Sequence, residues 1–599
     1  MKGGAVIAIL IVSLSTSYLL HTSCLFELEQ QQVAPKNGMK QSDTVLPKVM
    51  LDYPISGFAG GDIVVLEIDG TESWNNKLKD LGEGIETVFV HAAEEAEDTS
   101  SVQSGGSVST IRIYVSVNGK DSNNGLTKTT PVRSIHIALG KVRSDAINEI
   151  YITRGSFTPG NGLDTGDSGV VITNNNVKLI GGWDNSFNKV VGYSELDGKG
   201  ILYHVIFATN VTNVVLSNLM IKGGSASMED PHDRGGGIYF GDVSYSYIGN
   251  VVISGNRADY GGGMFLYGSH NTVIGVVFDN TAIQIGGGIY LEDGAISNTI
   301  GGNVYGNIAK WGGGVYLDKK ASNNTISGNV YGNRADNSGG GIYLGGNNNA
   351  VSGRVYSNVA MWGGGVFLDE KASNNTISGN VYGNRANASG GGIFLYGYKN
   401  TISGDVYGNI ANDSGGGIYL DGDTNTISGD VYGNKATNGG GIYLSGRKNT
   451  VKGSVYSNSA INSGGGIYLD KHASSSENDE EDYYYLNIIS GNVYGNIAGR
   501  NGGGIYLASR VNVVNGSVYS NSATNGGGIC LCFGRGNTIS GDVYGNIAND
   551  SGGGICLYFG EGNTISCYVY GNSANASGGG IFLDGDGNTI SCSVYNNIA

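Results

Sequence analysis

Gly-Gly-Gly recurs fourteen times in the C-terminal part of the chain, starting at positions 235, 261, 286, 312, 339, 363, 390, 415, 439, 464, 502, 526, 552 and 578. The spacing is 24 to 27 residues everywhere except for one gap of 38. The fullest copies read G-G-G-I-Y-L, then N-T-I-S-G, then V-Y-G-N-x-A. A fixed period of this size marks a solenoid, because one such unit cannot bury its own apolar face and must stack on the next. Function in such an architecture is sought along a surface before it is sought in a pocket.

Each unit holds three apolar runs separated by Gly, Asn, Ser and Asp. The runs are too short for helices and alternate with period two. Three strands in about 25 residues make one turn of a parallel β-helix, so the chain reads as all-β. Alternation then sorts the side chains: Ile and Leu of G-I-Y-L, Ile of N-T-I-S and Val of V-Y-G-N point inward, and Tyr, Thr and Ser point outward.

Stacking turns repeat positions into columns. The Asn that closes V-Y-G-N is Asn in all fourteen units, from Asn256 to Asn597. Such an Asn is expected to take the left-handed backbone at a corner and to hydrogen-bond to its copies above and below. The Ala two residues later, from Ala258 to Ala599, is also unbroken, and its small side chain is expected to let the chain turn tightly into Gly-Gly-Gly. Two aromatic columns are expected to face outward. One runs through Tyr290, Tyr316, Tyr343, Phe367 and Phe394 to Tyr506. The other runs through Tyr305, Tyr331, Tyr356, Tyr382, Tyr407 and Tyr432 to Tyr595. Stacked rings stabilise a ladder by themselves; they also make a strip able to bind a glycan or protein.

Composition closes off other classes. The 105 glycines come with only 6 prolines, which excludes collagen. The net charge is −16, and no basic cluster follows the repeats, so nucleic acid is not expected as a partner. No cofactor is expected. The six cysteines lie at Cys24 and at five positions from Cys530 to Cys592. Cys530 and Cys556 replace the Tyr of G-G-G-I-Y-L in neighbouring units, and Cys567 and Cys592 replace the Gly of T-I-S-G in neighbours. In-register stacking puts each pair about 4.8 Å apart, within Cα range of a disulfide. Each pair is expected either to form one or to pack as stacked thiols.

Residues 1–24 carry Lys2, an apolar run over 5–20 and then His21-Thr22-Ser23-Cys24, the form of a secretory signal. Cys24 is placed for lipidation, but His21 stands where a lipoprotein signal wants Leu. Simple cleavage and an uncleaved anchor remain open, and any membrane attachment is expected through this end. Residues 25–110 form a poorly defined N-terminal region and linker. Residues 111–230 read as an N-terminal cap, with a short helix over about 132–142, followed by irregular coils. Residues 231–599 are the regular stack of fourteen coils.

The paired G-G-G-I-Y and V-Y-G-N-x-A motifs resemble the G-G-A-I and F-x-x-N signatures of chlamydial polymorphic outer membrane protein repeats and related bacterial β-helix proteins. Val304 and its equivalents stand at the family's Phe, and the third Gly replaces the family's Ala in every copy. The segment 111–138, with L-I-G-G-W-D-N-S-F at 179–187 and L-D-G-K-G at 196–200, is similar to the module that opens many bacterial β-helix surface proteins. The resemblance covers about 110–599. It implies a right-handed parallel β-helix, exported and surface-associated, acting as an adhesin or structural element on a host or neighbouring-cell protein or glycan. It does not extend to the family's C-terminal barrel, and the stack stops at Ala599 just before the next Gly-Gly-Gly is due; either an open strand edge for end-to-end self-association or a truncated reading frame is expected there.

Pectate lyases and related polysaccharide enzymes share the fold, so an enzyme is the competing reading. They need a convergent charged cluster. The candidates here are weak. Asp405 and Asp430 precede Val in adjacent units, face outward and could share a Ca²⁺. Other units place Asn, Ser or Arg there, which favours a variable solvated surface. Asp421-Gly-Asp423-Thr424-Asn425 faintly resembles a calcium loop, with Thr where the turn requires Gly. No Ser/His/Asp grouping appears, and no catalytic residue is expected. The 38-residue gap holds an acidic, tyrosine-rich insertion over about 472–485.

Overall fold

The computed structural model describes residues 109–227, 232–471 and 486–599. The chain divides into two units, Met1–Gly106 and Ser107–Ala599. Residues 1–24 with the signal expected there, Cys24, nearly all of the 25–110 region and the 472–485 insertion lie outside the described residues.

The second unit is a parallel β-helix built from three sheets. Sheet I has sixteen strands, one per coil, beginning with Ser168–Ile172; fourteen of them follow a Gly-Gly-Gly. Sheet II has thirty-three strands, two for each coil from Gly286 onward, and sheet III has fourteen. One circuit reads Ile393–Leu395 in sheet I, Thr401–Ile402 and Val406–Tyr407 in sheet II, and Ile410–Ala411 in sheet III. Successive coils pair in parallel, with register shifts confined to the earlier ones; farther along, Ile393 lies on Ile418, Phe394 on Tyr419 and Leu395 on Leu420.

This corrects the three-strand count in one respect. The Ser-Gly step of T-I-S-G bends the chain, so T-I and V-Y form two short strands of the same sheet. The third sheet comes from the x-Ala pair, which carries no apolar alternation. The Ala column therefore does not make the tight turn into Gly-Gly-Gly; Ala386, Ala411 and Ala436 lie within or beside sheet III strands and pack on one another.

The core follows the alternation. Ile393, Leu395, Ile402 and Val406 are all 0% exposed, and their copies form one continuous apolar column from Ile113 to Val569. The corner glycines answer two different demands. Gly390 has φ +69°, which a side chain would make costly. At Gly392 an added Cβ would stand 2.9 Å from Asn409 Nδ2 and 2.8 Å from the Gly417 carbonyl. That crowding is the physical reason the third residue is Gly here and not Ala.

The expected helix is present but shorter, Ile135–Leu139, ending at Gly140. Asp121 holds the two residues that lead into it, accepting from the N–H groups of Arg133 and Ser134 at 3.0 and 2.8 Å. Ile135 and Ala138 are buried, and the helix packs on Ser109–Val115 and on the first strand of sheet I.

The Asn column is a hydrogen-bonded ladder, as the repeat predicts. The left-handed backbone, however, falls on the residue before it, Gly306, Gly332, Ser357 or Gly383 for example, with φ from +56° to +66°.

Candidate functional site

Sheet II presents the most regular surface of the molecule. In the coil over 401–409, Thr401, Ser403, Asp405 and Tyr407 point outward while Ile402 and Val406 are sealed inside. Repetition turns these into four parallel rows: Thr, Ser, a variable polar residue, and Tyr.

The tyrosine row is a continuous stack. Tyr305, Tyr331, Tyr356, Tyr382, Tyr407 and Tyr432 follow one another at centroid distances of 4.8 to 5.0 Å, with ring planes within 10° of parallel. The stack begins at Phe278 and runs to Tyr595. Its rings from Phe278 to Tyr570 are half-buried. Burial pushes the phenols of Tyr331, Tyr356 and Tyr432 up to about 12. This geometry changes what the strip can do. Ring faces are covered by neighbours above and below, so the outside meets ring edges and phenolic oxygens at the coil spacing. It is a ladder of hydroxyls, not a platform for stacking sugar rings.

The other aromatic column does not face solvent as expected. Tyr290, Tyr316, Phe367 and Phe394 are 4–9% exposed, and the remaining rings of the column to Tyr506 are partly buried. The glycine corner carries no side chains, so each ring folds down against it: at Gly286 an added Cβ would lie 2.9 Å from Tyr290 Cβ. Residues from the sheet III side, among them Tyr260, Ile285 and Trp311, lean over the first rings. Tyr290 donates from its hydroxyl to Asp318 Oδ2 at 2.6 Å. This column is a second, outer core.

Asp405 and Asp430 are brought together, but their oxygens bind the fold. Asp405 Oδ1 accepts from the Asp430 N–H at 3.1 Å, and Asp430 Oδ1 accepts from the Ser454 N–H at 2.8 Å. Asp423 likewise accepts from the Arg447 N–H at 2.7 Å. Among the described residues no group of three or more His, Cys, Asp or Glu side chains is arranged to hold a metal ion.

All five described cysteines are thiols. Cys530 and Cys556 are register partners and fully buried. Cys567 and Cys592 have their sulfurs 3.9 Å apart.

The chain matches no family model and no curated protein. Among solved structures it is similar to pectate lyase Pel9A. The two are 15% identical over 83% of this chain and 79% of that one, with a TM-score of 0.14. A likeness that faint says nothing about chemistry, and the resemblance to polymorphic outer membrane protein repeats rests on the motifs alone.

Two features have no counterpart in the sequence reading. A second buried Asn ladder runs from Asn271 to Asn588, built from the Asn of N-T-I-S; Asn375 donates its N–H to Asn400 Oδ1 at 2.9 Å, and Asn400 donates its Nδ2 to Asn425 Oδ1 at 3.2 Å. The constancy of that Asn was the available signal. The other is His204, wholly buried with Nδ1 3.1 Å from the Gly235 carbonyl; a single His inside an apolar strand gives no pattern to read.

Proposed function

We propose that this chain is an exported, cell-surface β-helix, non-enzymatic, acting as an adhesin or structural element through the tyrosine face of sheet II. The observation that carries the reading is the repetition of hydroxyl, amide and carboxylate groups at one fixed spacing along a single flat face. Such a face suits an ordered partner of many repeats, an extended glycan or a cell-surface protein, bound by many weak hydrogen bonds that add up by avidity. Ring edges with hydroxyls favour hydrogen bonding over sugar stacking. Export is supported by the composition of residues 1–24, and surface display by the resemblance of the repeats.

The test is a pair of triple variants at Tyr382, Tyr407 and Tyr432. Substitution by Phe keeps the stack and removes the hydroxyls; substitution by Ser removes both. Binding of the Phe variant to cells or immobilised glycans should fall at least tenfold with the circular dichroism spectrum unchanged. Wild-type binding by both variants would remove the face from consideration. Proteolysis of intact cells separates display from release. No turnover of polygalacturonate with added Ca²⁺ is expected, since Asp405 and Asp430 are engaged by backbone N–H groups.

A further inference from the structure

Cys567 and Cys592 stand where the regular coils have glycine, and that position does not tolerate a side chain one coil at a time. At Gly404, Gly429, Gly516 and Gly541 an added Cβ would collide with the carbonyl oxygen of the glycine one coil back. The two cysteines replace glycine in consecutive coils, and the backbone changes with them. The sheet II strand following each is lengthened to three residues, Tyr568–Tyr570 and Ser593–Tyr595, where the regular coils before them have the two-residue Val-Tyr strand. These strands pair in register, Tyr568 with Ser593, so the cysteines preceding them face each other, sulfur to sulfur at 3.9 Å. A paired substitution with a paired backbone change has a joint purpose. Stacked packing alone would be served by the glycines that the rest of the column keeps.

We infer that Cys567 and Cys592 are a redox pair that closes to a disulfide joining two neighbouring coils, and that Cys530 and Cys556 stay thiols. Access separates the two pairs. Cys592 is partly exposed, and its sulfur lies 3.2 Å from the Ile565 carbonyl as well as 3.9 Å from Cys567 Sγ. Cys530 and Cys556 are 0% exposed. They are enclosed in the outer aromatic column, Cys530 beneath Tyr506 and Cys556 beside Phe582. Burial raises the Cys567 thiol well above the ordinary range, which makes Cys592 the sulfur that an oxidant meets first.

The oxidant is a small disulfide. The Cys592 thiolate attacks one of its sulfurs, forming a mixed disulfide and releasing one thiol. Cys567, losing its proton, then attacks Cys592 Sγ and releases the second. Two protein thiols are oxidised, one small disulfide is reduced to two thiols, and the two protons end on those thiols. The sulfurs need only close from 3.9 Å to about 2.05 Å.

The experiment treats the purified, folded full chain with oxidised glutathione, alkylates it, denatures it, alkylates again with a distinguishable reagent and maps the peptides. The peptides holding Cys567 and Cys592 should be recovered joined, two hydrogens lighter than their sum. Cys530 and Cys556 should take only the second reagent. Recovery of Cys567 and Cys592 as separate alkylated peptides, or of Cys592 carrying glutathione beside a free Cys567, would overturn the inference. In Cys592→Ser the Cys567 thiol should be recovered unlinked, and a link from Cys567 to any other cysteine would refute the pairing. Nothing in this readout depends on where the protein is displayed or what it binds.

Discussion

Asn384 donates both its backbone N–H and its side-chain Nδ2 to one oxygen, Oδ1 of Asn409, at 2.9 and 3.0 Å. Asn409 repeats the arrangement toward Asn434 and also donates its Nδ2 to the Val381 carbonyl at 2.9 Å. Each Asn thus satisfies backbone groups of its neighbours at a buried corner where water cannot. Only an amide does both jobs: Asp lacks the donor, and Ser is too short to reach.

Asn409→Ala should therefore cost about 3 kcal/mol, since it leaves the Asn384 backbone N–H and one of its two Nδ2 hydrogens buried without a partner and takes one donor from the Val381 carbonyl. A solenoid opens locally, so the measurement is hydrogen exchange, with protection lost over roughly one coil on each side. Ser403→Ala, on the exposed face of the same coil, should change nothing measurable.

The inside of the coil was legible because period-two alternation states which side of a strand a residue takes, and Ile402 and Val406 obey it. Alternation does not state what lies over that side. Tyr290 and Phe394 point away from the core as expected, yet they are buried, because the glycine corner beside them leaves room that their own rings fill. The G-N pair shows that a corner is needed but not which member bends; Gly408 takes the positive φ and leaves Asn409 free to bond. The sheet III strand Ile410–Ala411 has no alternation to find. The tyrosine row was legible as a row, and its chemistry was not, because ring orientation is set by packing between coils.

His204 is buried and neutral. Burial pushes its pKa down to about 4 from an ordinary 6.5. The unfolded chain takes up this proton first, so the stability that neutral His204 represents is fully present above pH 6.5 and is lost as pH falls toward 4. The loss is about 3 kcal/mol. Urea melts at pH 7 and pH 4.5 should show a steep drop for the wild type and a shallower one for His204→Phe.

The tyrosine stack should mark the alkaline side. Tyr331, Tyr356 and Tyr432 titrate at about 12 in the folded protein because burial disfavours the phenolate. Unfolded tyrosines ionise near 10. Stability is therefore full below pH 10 and falls between pH 10 and 12, where the unfolded state alone gives up protons. Phenolate absorbance should rise with a midpoint nearer 12 than 10. Replacing the three by Phe should leave the fold less sensitive across that window.

Val511 stands at a left-handed position, φ +56°, immediately before Asn512 of the second Asn ladder. The same position in other coils is Asn323, Asn348, Asn374, Lys399 or Gly536, all with positive φ. A β-branched side chain is the worst choice there, since its Cβ substituents crowd the backbone. The backbone N–H is committed to the Arg535 carbonyl at 2.9 Å, so the conformation is imposed by the stack and the side chain bears the strain. Val511→Asn should stabilise by about 1 kcal/mol, because Asn tolerates this region. Val511→Gly should gain less, because glycine also frees the unfolded chain. The converse change, Asn374→Val, should cost a similar amount. Thermal melts should rank Val511→Asn above Val511→Gly, and Val511→Gly above the wild type, with Asn374→Val lowest; a wild type that melts above Val511→Asn would mean that the valine contributes packing greater than its strain.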